Sequence, residues 1–233
     1  MIHFFKSYLS NRRQSVLYKE YKTNCFYVGS GVPQGSNLGP LLFLLFINDL
    51  PHYIQNSRKL LFADDLKIFV NVKSLDDCLL LQQDLTSILK WCSRNRLEIN
   101  IGKCKAMTYS RREKTYDFTY SINGISLKKL DTIKDLGVTF DSKLTFSPHV
   151  VNITNDAYRN LGFLVRTTKE FANDSTLKTL YYSYVRSKLE YASLIWNTSM
   201  KASCQKIEHV QSKFFSFLTY KLVSTRNTNL TTI

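Results

Sequence analysis

Two adjacent carboxylates, Asp64 and Asp65, lie between the short apolar runs Leu60-Leu61-Phe62 and Leu66-Lys67-Ile68-Phe69-Val70. Both runs have strand composition, so the acidic pair falls where the chain must turn. A hairpin tip that presents two carboxylates can hold hard divalent cations, because Mg²⁺ takes oxygen ligands and keeps several waters. Paired divalent ions serve phosphoryl and nucleotidyl transfer, where they clamp the attacking and leaving oxygens. A plain polar turn gives the same four residues, since Asp is a common turn residue. A second pair, Asp76-Asp77, has a different context. It follows Ser74 and precedes Cys78, Leu81, Leu85, Ile88, Leu89 and Cys92, spaced by threes and fours. That spacing predicts an amphipathic helix over 75–96, opened by a capping box in which the acids complement the helix dipole.

The elements around the first pair must position it. Gly31-Val32-Pro33-Gln34-Gly35-Ser36-Asn37-Leu38-Gly39-Pro40 is a glycine-rich loop that runs into Leu41-Leu42-Phe43-Leu44-Leu45-Phe46-Ile47-Asn48-Asp49-Leu50. Ser36 or Asn37 can cap the helix, and Pro40 is tolerated in its first turn. The apolar run is too short for a bilayer, which needs about 20 residues. Being apolar on nearly all sides, it predicts a helix buried in a core.

Loop, helix and acidic hairpin together resemble the reverse transcriptase of non-LTR retrotransposons, closest to jockey-like elements. Arg96 to Met107 resembles the family's segment after the acidic hairpin. Ile133 to Asp141 resembles its primer-grip strand pair. Tyr184 to Asn197 and Ile207 to Leu218 resemble the helices that follow. The likeness runs from about Phe4 to Leu222. It implies an α+β fold: part of a polymerase palm, an antiparallel sheet with packed helices, then a small helical thumb. The implied divisions are a remnant joining fingers to palm (1–30), the palm (31–146), the thumb (147–222) and a tail (223–233).

The resemblance also implies roles. Asp64 and Asp65 would help bind two catalytic Mg²⁺ ions, Asp64 as the more direct ligand. Phe62 would pack under the primer end. Gln34 and Gly35 would lie against the nascent base pair. Lys103 would lie near the triphosphate, where a cation offsets charge on the leaving pyrophosphate; a solvated loop lysine is the competing reading. Leu136 and Gly137 would contact the primer backbone, or form a plain β-turn. Partners would be an RNA template, a DNA primer and deoxynucleoside triphosphates, with no membrane. The N-terminal part of a longer polyprotein would be another partner. Nuclear residence is implied, although no targeting run is visible.

Bulk properties agree with a polyanionic partner. The 233 residues carry 32 Lys and Arg against 18 Asp and Glu, a net charge of +14, with pI near 9.5. Such an excess favours nucleic acid, because the cations are spread out and no basic amphipathic anchor stands out. Arg159, Arg166, Lys169, Lys178, Arg186 and Lys188 in the helical part are candidate phosphate contacts. Cys25, Cys78, Cys92, Cys104 and Cys204 form no Cys-x-x-Cys pair, which argues against a disulfide framework or a zinc site. His3, His52, His149 and His209 are equally dispersed.

The remaining strand and helix signals are local. Tyr18 to Val28 includes a strand. Ile99 to Tyr109 and Phe118 to Ile125 read as strands, with Asn123-Gly124 marking a tight hairpin turn. Ile133 to Phe140 supplies another strand. Pro148 marks a boundary, and Asn173-Asp174-Ser175 a helix cap. Leu177, Leu180, Tyr181, Tyr184 and Val185 share a helical face, as do Ile207, Val210, Phe214, Phe217 and Leu218. The end, 223–233, is expected to fray.

One group is missing. The family's centre needs a third carboxylate from a strand upstream of the glycine loop, yet no Asp precedes Asp49 and the one Glu there is Glu20. Relative to the family, the chain is expected to be truncated at its N-terminus, and inactive or nearly so by itself. The alternative expectation is a non-catalytic nucleic-acid-binding remnant of a transposable element.

Overall fold

The computed structural model describes residues 2–111, 116–171, 173–197 and 201–230, with no side chains described beyond 223. Helix α1 (Ile2–Leu9) leads into strands β1 (Arg12–Gln14), β2 (Leu17–Tyr18), β3 (Tyr21–Lys22) and β4 (Phe26–Val28). The glycine loop then enters α2 (Gly39–Ile47), followed by a 3₁₀ turn, Leu50–Tyr53. Next come β5 (Arg58–Phe62), β6 (Asp65–Phe69) and α3 (Leu75–Arg94). A stretch of short strands follows: β7 (Lys105–Ala106), β8 (Ser121–Ile122), β9 (Ile125–Ser126), β10 (Lys128–Lys129), β11 (Thr132–Asp135) and β12 (Val138–Asp141). The rest is helical: α4 (Ser147–Thr167), α5 (Asp174–Tyr181), a π turn (Tyr182–Arg186), α6 (Ser187–Glu190), α7 (Ser193–Trp196) and α8 (Lys201–Leu230).

The mixture of helices and small sheets fits an α+β chain. The expected single antiparallel sheet is not observed among the described residues. Strands pair only in twos: β1 with β4, β2 with β3, β5 with β6, β7 with β10, β8 with β9, and β11 with β12. The β7–β10 pair is parallel. Among the described residues the longest strands have five residues, and no third strand lies along the edges of β5–β6. Ile99 to Tyr109 is also not the strand that its composition predicts. Only Lys105–Ala106 pairs, after a 3₁₀ turn at Ile101–Lys103.

Contacts divide the chain into two compact units, one of residues 1–103 and 116–127, the other of 104–115 and 128–233. The first has a core of Ile47, Leu50, Ile54, Ile88, Trp91 and Cys92. Into it Leu61, Leu66 and Ile68 pack from one face of the β5–β6 hairpin. The capping box of α3 forms as its sequence predicts. Asp77 accepts the backbone N–H groups of Lys73 at 2.8 Å and Ser74 at 2.9 Å. Those N–H groups hold the Asp77 carboxyl below the usual carboxylate range.

Helix α2 corrects an expectation. Its Ile47 is buried and Phe43 packs against the core, but Leu41, Leu44, Leu45 and Phe46 are exposed by 43–62%. Phe46 still meets the Trp91 ring, with centroids 5.9 Å apart, whereas nothing among the described residues covers Leu41, Leu44 and Leu45. Its cap also differs in detail. Leu38 takes the cap position, while the Ser36 hydroxyl accepts the Gly39 N–H at 3.1 Å and donates to the Pro33 carbonyl at 2.8 Å.

In the second unit, Ala157, Leu161 and Leu164 of α4 pack with Leu177, Tyr181, Val185 and Leu189, and with Val210, Phe214 and Leu218 of α8. Tyr181 and Phe214 stack with ring centroids 4.0 Å apart. Asn173 caps α5, accepting the Ser175 N–H at 2.9 Å and the Thr176 N–H at 3.3 Å. Tyr184 departs from its expected face and is 56% exposed. The π turn Tyr182–Arg186 inserts extra residues into the helical repeat and rotates Tyr184 outward. Helix α8 is assigned as far as Leu230, and 231–233 lie outside the described residues.

Candidate active site

The acidic pair sits at the tip of a tight hairpin. Strands β5 and β6 pair from Arg58↔Phe69 to Phe62↔Asp65, leaving Ala63 and Asp64 as the turn. Ala63 takes φ +51°, a left-handed conformation that costs a non-glycine residue of order 1 kcal/mol. Register fixes what each face carries. Leu61 opposite Leu66 faces the core, while Leu60, Phe62 and Phe69 lie on the other face, exposed by 44–63%. Asp64 and Asp65 are both exposed, and neither carboxylate has a hydrogen-bond or ion-pair partner among the described residues.

Such carboxylates are hard oxygen donors with free lone pairs, as Mg²⁺ requires. They are, however, two. Among the described residues no three His, Cys, Asp or Glu side chains come together. The donor set suits part of a hydrated Mg²⁺ shell and leaves most of the octahedron to water or other groups.

The other sequence-predicted residues occupy three places. Gln34 and Gly35 are exposed in the glycine loop, where Gly31 at φ +72° and Gly35 at φ +75° set backbone turns that side chains disfavour. Lys103 is exposed at the end of the 3₁₀ turn after Asn100. Leu136 and Gly137 lie in the second unit. They form the two-residue turn between β11 and β12, with φ +43° and +85°. A Cβ on Gly137 would meet a ring carbon of Tyr191 at 3.0 Å, and the Tyr191 hydroxyl donates to the Leu136 carbonyl at 2.9 Å.

Other acids have structural work. Asp49 accepts the Trp91 indole N–H at 3.0 Å. Asp84, 2% exposed, accepts the backbone N–H groups of Gln55, Asn56 and Ser57. It therefore fixes the entry to β5, a role that its place in an amphipathic helix does not reveal.

Two clefts were not legible in the sequence. One, of about 640 Å³, lies between the 3₁₀ turn at Leu50–Tyr53 and α3, and includes Asn56, Lys90 and Arg94. The other, of about 270 Å³, lies between β11–β12 and α4. It is lined by Gly137 together with Lys134, His149, Asn152 and Arg159. His149 is 1% exposed, and its Nδ1 accepts the Thr139 N–H at 3.2 Å. Burial, then the Lys134 cation, push its pKa below the ordinary histidine value.

Of the candidate phosphate contacts, three already hold acids one turn away. Arg159 pairs with Asp156, Lys178 with Asp174 at 2.9 Å, and Arg186 with Glu190 at 2.6 Å. Arg166, Lys169 and Lys188 are exposed.

The family model described as reverse transcriptase (RNA-dependent DNA polymerase) covers residues 2–165. The chain is 29% identical over 220 residues to the RNA-directed DNA polymerase from mobile element jockey of Drosophila melanogaster, covering 89% of this chain and 24% of that protein. It is 28% identical over 225 residues to the probable RNA-directed DNA polymerase from transposon BS of the same fly, covering 92% and 25%. The corresponding protein from transposon X-element is 28% identical over 232 residues, covering 97% and 25%. The chain thus spans about a quarter of the length of these curated relatives. No solved structure matches it. With the family model spanning more than half the chain, and the glycine loop and acidic hairpin inside the matched region, the chain belongs to the reverse transcriptase family.

Proposed function

We propose that this chain is the metal-binding and primer-holding part of an RNA-directed DNA polymerase of a jockey-like non-LTR retrotransposon. The observation that carries this reading is the tip of β5–β6. It offers two exposed, unpaired carboxylates next to an exposed aromatic, Phe62, in the same unit as the glycine loop. Asp64 and Asp65 would hold Mg²⁺, which when bound stabilises negative charge on the reacting phosphate oxygens. Phe62 would support the primer end by apolar contact, and Gln34 and Gly35 would test the shape of the new base pair. Lys103 would lie near the triphosphate. The β11–β12 turn, Leu136 and Gly137, would hold the primer backbone, and the helical part, 147–222, would close over the duplex as a thumb. Partners are an RNA template, a DNA primer and deoxynucleotides, and the setting is the nucleus. No helix among the described residues is long and apolar enough to cross a membrane.

The 233 residues by themselves are inactive in this reading. Two carboxylates under-neutralise a pair of dications, and no third joins them among the described residues. Primer extension on an RNA template with Mg²⁺ tests both statements. The chain alone is expected to give no extension. A longer chain, in which an aspartate-bearing strand precedes these residues, is expected to extend the primer. Asp64→Asn in that longer chain should reduce the rate at least about a hundredfold, since metal stabilisation is worth several kcal/mol and each 1.36 kcal/mol is tenfold. Extension unaffected by Asp64→Asn would refute the metal role. The second reading, a nucleic-acid-binding remnant, draws on the +14 charge. Duplex binding without extension in the longer chain would favour it.

A further inference from the structure

Leu136 and Gly137 make a turn that their own sequence does not hold. Both take positive φ, +43° and +85°, in a two-residue hairpin turn where Asn, Asp and Gly are the favoured residues. A leucine gains nothing locally in that conformation, because its Cβ crowds the neighbouring carbonyl. The turn therefore depends on a contact from elsewhere in the chain.

Tyr191 makes that contact from 55 residues away. Its hydroxyl donates to the Leu136 carbonyl at 2.9 Å. Its ring lies so near Gly137 that a Cβ there would meet a ring carbon at 3.0 Å. Glycine is thus required twice, for its φ and for the space the ring takes. Tyr191 is itself anchored. It follows the last residue of α6, and its carbonyl accepts the Trp196 indole N–H at 2.7 Å. Trp196 packs with Val138 and Val150, and edge-on to His149 with ring centroids 5.4 Å apart. The His149 Nδ1 accepts the Thr139 N–H, so the path returns to the strand that leaves the turn. Tyr191 is nevertheless 57% exposed, and Leu136 42%. Val138, Val150 and Trp196 fill the core beneath them, so core filling does not explain a tyrosine at 191.

The geometry of the peptide unit gives the contact its consequence. The unit joining residues 136 and 137 carries the Leu136 carbonyl and the Gly137 N–H. It is trans and planar, so the two groups point in opposite directions. Holding the carbonyl on Tyr191 therefore fixes the direction of the Gly137 N–H. That N–H has no acceptor among the described residues. Released from Tyr191, this one unit could rotate and reverse both groups while the β11–β12 pairing stays intact. Such a rotation is the difference between the two turn types that commonly close two-residue hairpins.

We propose that Tyr191 is a positioning residue that locks the 136–137 peptide so that the Gly137 N–H meets a backbone phosphate oxygen of the primer. The inference rests on the reading of the β11–β12 turn as the primer-holding element. It adds the residue that sets the turn and the atom that is set. An N–H aimed at an anionic oxygen makes a charge-assisted hydrogen bond. A rotated peptide would aim the Leu136 carbonyl there and repel the phosphate.

The chain has eight glycines, so an amide spectrum of chain labelled with heavy nitrogen at glycine alone is simple, and Gly137→Ala identifies the Gly137 signal. Tyr191→Phe keeps the ring and removes the hydroxyl. In the free 233-residue chain it is expected to move the Gly137 signal and leave that of Gly162, within α4, in place. A primer–template duplex added without Mg²⁺ should shift the Gly137 signal of the parent, and Tyr191→Phe should weaken duplex binding about fivefold, the size of one hydrogen bond. In the longer chain that extends primers, the same substitution should raise the KM for primer–template by a similar factor and leave the KM for deoxynucleotide unchanged. An unmoved Gly137 signal in Tyr191→Phe overturns the proposal. Equal rises in both KM values also overturn it, because a general loosening of the fold acts that way. A Gly137 signal that moves in Tyr191→Phe but ignores the duplex in the parent refutes the primer role of the turn instead, so the two failures are distinct.

Discussion

At the scale of single residues, environment separates acids of the same type. Asp64 and Asp65 project from a turn without partners, Asp77 closes a capping box, and Asp84 is buried under three backbone N–H donors. Of these four, only Asp64 and Asp65 lack a hydrogen-bond or ion-pair partner among the described residues. His149 gives a residue-scale prediction. Its folded pKa is depressed by burial and by Lys134. As pH falls, the unfolded chain therefore binds a proton near its ordinary value, about 6.5, before the folded chain does. Stability is full above that value and falls as pH drops through it towards the folded pKa, by up to about 1.4 kcal/mol per pH unit. Urea unfolding at pH 7.5 and 5.0 is expected to show this loss in the parent and a smaller loss in His149→Gln. Asp141, whose pKa is depressed despite burial by the N–H groups of Thr145, Phe146 and Lys143, acts in a lower window, below about 3.8, and does not interfere.

At the scale of elements, local rules and packing contribute differently. The turns at Asn123-Gly124 and Leu136-Gly137 both place two residues at positive φ, the geometry favoured in two-residue hairpins. Asn-Gly announces this in sequence. Leu136-Gly137 does so less clearly, because a leucine at φ +43° depends on the turn being held, here by the Tyr191 hydroxyl. The entry to β5 depends on a contact across 27 residues, from Asp84 to Ser57. Asp84→Ala would leave the Gln55, Asn56 and Ser57 N–H groups without their acceptor inside the first unit. Of the three, Ser57 is buried while Gln55 and Asn56 are exposed and can turn to water, so at about 1–3 kcal/mol per buried unpaired group the expected cost is roughly 2 kcal/mol. The thermal midpoint should fall by roughly 4–8 °C for a chain of this size. An unchanged midpoint would mean that the loop finds other acceptors.

At the scale of the whole molecule, the excess of positive charge is the property that acts over the longest range. Each phosphate neutralised on a duplex steepens the salt dependence of binding by about 0.9 in the log–log slope. Arg159, Lys178 and Arg186 already neighbour acids on their own helices, so their charge is partly spent locally. Arg166, Lys169 and Lys188 have no ion-pair partner among the described residues. Lys188→Gln is therefore expected to lower the slope of duplex binding by about one, and Lys178→Gln by less. Fluorescence anisotropy across a salt series measures both, and equal slopes in the two variants would contradict the ranking.

The sequence by itself determined the features that depend on neighbours a few residues away. The acidic turn follows from two short apolar runs around Asp64-Asp65, the capping box from Ser74 and Asp77, and the Asn173 cap from its place before α5. The family followed from the glycine loop and acidic hairpin in order. Tertiary structure decided what depends on distant partners. It left Leu41, Leu44 and Leu45 exposed on a helix whose composition implies burial, because burial needs a second surface. It turned Tyr184 outward, because a π turn changes the phase that a 3.6-residue repeat assumes. It gave Asp84 its role and set Tyr191 on the β11–β12 turn, because long-range hydrogen bonds exist only once the chain has closed on itself.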